Sequence, residues 1–251
     1  MHTAWTDNFL LMATRLSALV LVAPPLASAQ VPALVRLGFV MALSGLLTLG
    51  LPHAELGQPV PTGSLIACMA TELAIGLPMA LGVAFAFAAF TAGGQILDVQ
   101  IGFGMSQLFD PMTRQRLPVL STAMGQLAAV TFFVLNGHHA LLRALALSLE
   151  RYPLGQPFPI GSALGPLIEQ GSSMFVLGFA IVAPVVFCLL LVELGLGVLA
   201  RNLPQINIFA IGLPVKVIVG LVGLAAWLVV AAPVVTRVHN TVLEGWKGWL
   251  G

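Results

Sequence analysis

Four ionisable side chains, Arg15, Glu72, Glu193 and Lys216, stand inside long apolar runs of this sequence. A charge at the middle of a bilayer costs about 2.5–3.5 kcal/mol on insertion scales, so each needs an opposite charge or an aqueous surface. Two chemistries fit such residues: a proton or ion relay, and salt bridging between helices or subunits. Carboxylate relays usually draw on more than two acids scattered over different helices, which favours bridging. Glu193 and Lys216 lie on the last two apolar runs, so Lys216 has two candidate partners, Glu193 across a hairpin and a group on a neighbouring chain. Arg201, in the turn between those runs, joins the charges available for pairing.

Other reactive types lead nowhere specific. His138 and His139 are adjacent, and neighbouring side chains on a helix point about 100° apart, a poor geometry for one shared ion. No H-E-x-x-H, C-x-x-C or carboxylate cluster accompanies them. There is no G-x-S-x-G elbow and no phosphate-binding G-x-x-x-x-G-K-[ST] loop, and Gly102 with Gly104 gives only a fragment of a dinucleotide fingerprint. Cys68 and Cys188 both sit in apolar runs and read as small buried hydrophobes. No residue is assigned to catalysis, a metal or a cofactor, and nothing reads as an enzyme.

The elements that must position the four charges follow from composition. Of 251 residues, 59% are hydrophobic and only 8% charged, and the mean hydropathy is +1.02. Soluble domains carry roughly a quarter charged residues, so this chain lacks a water-facing surface. A net charge of +1, with no Lys/Arg-rich run, excludes a nucleic-acid footprint. Apolar runs of membrane length cover 9–29, 31–51, 64–92, 117–135, 174–200 and 206–232, which predicts an all-α integral membrane protein of about six long helices. The runs are continuous and long, unlike the alternating segments of a membrane β-barrel. The first basic residue, Arg15, lies inside the first run, which argues against a cleavable signal.

Pro24-Pro25, Pro78, Pro184, Pro214 and Pro233 fall in or at the ends of these runs and predict kinks or breaks. Broken backbone survives in a membrane only where protein or water satisfies the freed carbonyls. Two connections, 93–116 and 136–173, are long, and long connections in a compact architecture tend to be functional. Gly76, Ala80, Ala84, Ala88 and Ala92 recur every four residues, a small-residue stripe suited to close helix packing. Loop charges tie: Arg36, Arg114, Arg116 and Arg201 on one side, Arg143, Arg151, Arg237 and Lys247 on the other. The positive-inside rule is then silent, and the tie points to partners fixing how the chain sits.

The long connections also carry a resemblance. QIGFGMSQLFDP (100–111), LPVLS (117–121), FFVLNGHHALLRALALS (132–148), YPLG (152–155) and the C-terminal IVAPVVFCLLLVELGLGVLARNLPQINIFAIGLPVKVIVG (181–220) are similar to the FliR family of flagellar export-gate proteins. The resemblance runs in order from about residue 10 to 235, and LARNLPQINIF and GLPVK are specific beyond an apolar background. FDP and NGHH fit the flagellar branch better than the virulence-type III secretion homologues, which are the nearer alternative. A small secondary transporter using Glu72 and Glu193 as proton carriers is the more distant one, and the internal inverted repeat it should contain is not evident.

The resemblance implies a structural pore subunit. Family members assemble with FliP-like and FliQ-like subunits, and with an FlhB-like subunit, into a helical gate of the type III export apparatus. Unfolded flagellar proteins are its cargo. It sits in the bacterial inner membrane within the flagellar basal body, raised toward the periplasm. Residues 1–171 would form a FliP-like part and 172–251 a FliQ-like hairpin and tail. That hairpin would turn at 201–205, with Pro204, Gln205 and Asn207 at the turn. The family assigns a pore plug to the region of Gly102, Phe103, Gly104, Met105, Leu108, Phe109, Asp110 and Pro111. Phe103, Met105, Leu108 and Phe109 would then form a compressible apolar seal, methionine supplying adaptable packing.

Overall fold

A computed structural model of the chain describes residues 2–27, 31–50, 64–103, 118–203, 205 and 207–250. Among the described residues all regular structure is helical and no strand occurs. The helices are α1 (His2–Val22), α2 (Pro24–Ala27), α3 (Ala33–Gly50), α4 (Leu65–Ile101), α5 (Val119–Val134), α6 (Gly137–Arg151), α7 (Ile160–Asn202), α8 (Ile208–Val230) and α9 (Ala232–Leu250). Four of them, α3, α4, α7 and α8, are long and apolar enough to cross a membrane, and α5 with α6 counts as a fifth if taken as one broken span. At 37 and 43 residues, α4 and α7 measure roughly 55 and 65 Å along the helix, well beyond a hydrocarbon core of about 30 Å.

Local chemistry sets most boundaries. Ala23 separates α1 from α2, and Pro24 opens α2 at the helical position where a missing N–H costs nothing. Asn136 takes a left-handed conformation, φ 56° and ψ 31°, between α5 and α6, one that asparagine tolerates better than most side chains. Pro233 stands in the first turn of α9. Pro78, Pro184 and Pro214 do not end their helices, since α4, α7 and α8 each continue through them.

The chain divides into two compact units, each assembled from separated segments. The first comprises 1–85, 136–172 and 240–251. Its core packs Leu11, Met12, Leu16 and Leu19 of α1, Ile75, Met79 and Val83 of α4, and Leu145 and Leu149 of α6, with Trp246 and Trp249 of α9, all buried. The second comprises 86–135 and 173–239. Phe90, Leu97 and Ile101 of α4, Met124 and Phe132 of α5, Ile181, Val182 and Leu189 of α7, and Leu224 of α8 form its core.

Several expectations from sequence need correction. The predicted loop 93–116 begins later, because α4 runs on to Ile101. Gly93 and Gly94 are contact residues inside the helix: a Cβ on Gly93 would stand 2.9 Å from the Gly178 carbonyl, and one on Gly94 2.5 Å from Ser121 Cα. The predicted connection 136–173 is mostly helical, being filled by α6 and the start of α7. The link between α7 and α8 is 203–207. The C-terminal tail is the amphipathic helix α9, which buries Val235, Val238, Val242, Trp246 and Trp249 at helical spacing and turns Arg237, Glu244 and Lys247 outward. The small-residue stripe does not hold one face. A four-residue step advances 400°, so it drifts about 40° each time, from buried Gly76 and Ala80 to exposed Ala88. Cys188 is exposed, while Cys68 is half-buried.

Candidate functional site

In the first unit, Arg15 of α1 and Glu72 of α4 meet with no solvent exposure on either side chain. Nε of Arg15 donates to Glu72 Oε2 at 2.6 Å, one terminal nitrogen to Ser148 Oγ at 3.1 Å, and the other to the Tyr152 carbonyl at 2.9 Å. The second carboxylate oxygen of Glu72 accepts from the Gly155 amide at 2.9 Å. Gly155 has φ 77°, a conformation that favours glycine, and its carbonyl accepts from Cys68 Sγ at 3.7 Å. The approach of the two helices depends on Gly76, one turn along α4 from Glu72. A Cβ there would lie 2.6 Å from the Arg15 carbonyl. The network thus ties α1, α4, α6 and the 152–155 turn with charge-assisted bonds, and it neutralises two charges that the apolar surroundings would otherwise penalise.

The same unit contains a second polar junction. Gln170 of α7 donates to the Gly82 carbonyl of α4 at 3.3 Å, and Trp246 Nε1 of α9 donates to the Met79 carbonyl at 3.3 Å. Gly82 and Gly245 leave room for the Gln170 amide, which a Cβ on Gly245 would meet at 2.7 Å.

In the second unit, Lys216 of α8 donates to Glu193 of α7 across the hairpin, and both side chains are partly exposed. An open groove of about 430 Å³ runs beside this pair. Ile101 and Gly102 close one part of it, Leu196 and Ala200 of α7 another, and Gly212 and Leu213 of α8 a third. Trp227 Nε1 of α8 donates to the Ile181 carbonyl of α7 at 2.6 Å, a second tie across the hairpin. The two acids a proton relay would use, Glu72 and Glu193, therefore occupy separate units, each in its own ion pair.

The start of α5 is held from another helix. Asp98 of α4 accepts from the Leu120 amide at Oδ1 and from the Ser121 amide at Oδ2, both at 2.9 Å. Ser121 Oγ donates to the Thr91 carbonyl at 3.1 Å.

The remaining expected residues distribute as follows. Gly102 leaves α4 with φ 98°, and Phe103 after it is half-buried. Gly104, Met105, Leu108, Phe109, Asp110, Pro111 and Pro204 lie outside the described residues. Arg201 is exposed in the last turn of α7, where a cation complements the helix dipole. Gln205 is exposed, and Asn207 caps α8 by accepting from the Ala210 amide at 3.3 Å. Among the described residues no group of three or more His, Cys, Asp or Glu could hold a metal ion. Sequence reasoning did not single out Asp98, Gln170 or Trp246. Their partners are 22 to 167 positions away, so no local spacing announces them.

Long apolar helices, with Arg15 paired to Glu72 and Lys216 to Glu193 inside the apolar runs, define a membrane protein of helical fold. The sequence matches bacterial export proteins, family 1, over residues 6–242, and the chain belongs to that family. Within it the relatives are flagellar. The chain is 32% identical to the flagellar biosynthetic protein FliR of Escherichia coli (strain K12), covering 96% of this chain and 92% of the relative. It is 30% identical to that of Bacillus subtilis (strain 168), over 96% and 94%, and 26% identical to that of Pectobacterium carotovorum subsp. carotovorum, over 96% and 91%.

Proposed function

We propose that this chain is a structural subunit of the flagellar type III export gate, forming part of the channel through which unfolded flagellar proteins cross the bacterial inner membrane. The observation that carries this is the family match over residues 6–242 with FliR relatives covering nearly the whole chain, which makes the protein a component of the flagellar type III export apparatus. Its work in this reading is mechanical. The Arg15–Glu72 and Glu193–Lys216 pairs hold helices together, and the chain contributes walls to a channel whose energy is supplied elsewhere.

The partners are FliP-like, FliQ-like and FlhB-like subunits. Large apolar side chains are exposed along α3, α7 and α8, among them Leu34, Leu49, Phe175, Phe187 and Val229. An apolar surface of this extent needs lipid or protein against it. The α7–α8 hairpin would be the FliQ-like portion of 172–251 and the segments before it the FliP-like portion of 1–171. Residues 102–111 would seal the closed channel, through Phe103, Met105, Leu108 and Phe109. The gate would be raised toward the periplasmic side of the membrane.

Deleting 103–109 tests the seal. The complex should still assemble, and membranes containing it should leak small ions; wild-type conductance would sink this reading. Purification of the chain without tags on its partners tests the gate itself. Co-purifying export subunits are expected, and a lone monomer would count against it.

A further inference from the structure

We propose that Trp227 is a positioning residue for the α7–α8 hairpin: its indole N–H supplies, from the facing helix, a hydrogen bond to the turn of α7 that Pro184 deprives of a donor. The inference stands on the hairpin itself and does not depend on the channel reading.

The two helices face each other in a regular antiparallel register. On α8, Lys216, Gly220, Gly223 and Trp227 follow at steps of about one helical turn, and on α7 Glu193, Leu189, Val185 and Ile181 do the same in the opposite direction. Lys216 donates to Glu193. A Cβ on Gly220 would stand 3.5 Å from Leu189 Cδ2, and one on Gly223 3.7 Å from Val185 Cγ1. Trp227 closes the series by donating to the Ile181 carbonyl at 2.6 Å. The middle two levels are apolar contacts, so the polar ties stand at the two ends.

Pro184 stands between the last two levels. A proline inside a helix has no N–H for the carbonyl four residues back, and its ring crowds that carbonyl and spreads the turn. For Pro184 that carbonyl belongs to Ala180, and Ile181 follows it in the same turn. Ile181 has no exposed surface, so water does not reach it, and Trp227 brings a donor instead. Tryptophan near the end of an apolar helix commonly sits at the membrane interface with its N–H toward water. Trp227 lies in the last turn of α8, yet its N–H is turned inward onto α7. One bond thus offsets the donor that Pro184 removes, and it keeps α7 from swinging about that turn away from α8.

A double-mutant cycle on the full chain, purified from membranes, tests this. Trp227→Phe keeps an aromatic ring and removes the donor, and Pro184→Ala returns an N–H to the ladder. A hydrogen bond of ordinary net worth shifts an opening equilibrium by roughly two- to tenfold. Trp227→Phe should therefore speed amide exchange across 180–189 by about that factor beside Pro184, and by much less in the Pro184→Ala background. Equal acceleration in both backgrounds overturns the proposal, because lost packing or a lost interfacial anchor owes nothing to the proline. No acceleration in either overturns it too. If Pro184→Ala does not fold, Trp227→3-benzothienylalanine decides, since it keeps the bicyclic shape and puts sulfur in place of the N–H. Faster exchange than wild type then supports the bond's role, and wild-type exchange overturns it.

Discussion

Arg15 and Glu72 meet at 2.6 Å across 57 residues of sequence, and neither side chain retains any accessible surface. Beyond each other, the two side chains bond Ser148, the Tyr152 carbonyl and the Gly155 amide. Removing one partner leaves a buried charge unmatched, at a cost of about 3–5 kcal/mol. Arg15→Met or Glu72→Leu alone should abolish recovery of the folded chain from membranes. The double replacement should restore much of it, and thermal melting of the purified complex measures the coupling.

The Glu193–Lys216 pair is partly exposed on the α7–α8 hairpin, so its loss should be milder. Glu193→Gln should weaken assembly more than Glu193→Asp does, and the exchanged pair Glu193→Lys with Lys216→Glu should recover part of it. Native gel shifts of the complex report this. A glutamine variant that assembles fully yet stops export would favour a proton role instead.

Gly178 offers a steric test. A Cβ there would stand 2.7 Å from the Ala89 carbonyl, against backbone that cannot rotate away. Gly178→Ala should destabilise by about 1–3 kcal/mol or more, seen as a lowered melting temperature. Gly195→Ala, where a Cβ meets nothing within 4 Å, is the matched control and should not destabilise, alanine in a helix interior being favoured over glycine by up to about 1 kcal/mol.

His239 gives the pH dependence. Burial beside Phe90 and Phe132 pushes its imidazole below the ordinary range, and its Nδ1–H donates to the Val235 carbonyl at 3.0 Å. A group with a lowered folded pKa binds its proton more readily when unfolded, so stability is full above about 6.5 and falls as the pH drops toward the folded value. His239→Gln should flatten the slope of melting temperature against pH below 6.5.

Much of the helical architecture was legible, because continuous apolar runs have few other solutions in a membrane. The sequence places Glu193 and Lys216 on the last two runs but leaves open whether Lys216 meets Glu193 or a neighbouring chain; the fold pairs the two. Arg15 and Glu72 stood out as charges among apolar residues, but nothing in their spacing names one as the other's partner. Gly93 and Gly94 misled because local preference makes glycine a helix breaker, whereas here tertiary contact with Gly178 and Ser121 decides. Asp98 sat within that same misread stretch. A cap delivered from another helix has no counterpart to the local Ser/Thr-x-x-Glu signature.

The two glycines that face each other on α4 and α7 make a vernier. A side chain on Gly93 would strike the Gly178 carbonyl, and one on Gly178 would strike the Ala89 carbonyl. Sliding either helix by one turn would bring Leu97 or Val182 to a place where only hydrogen fits. The two longest helices among the described residues therefore mesh in one axial register there.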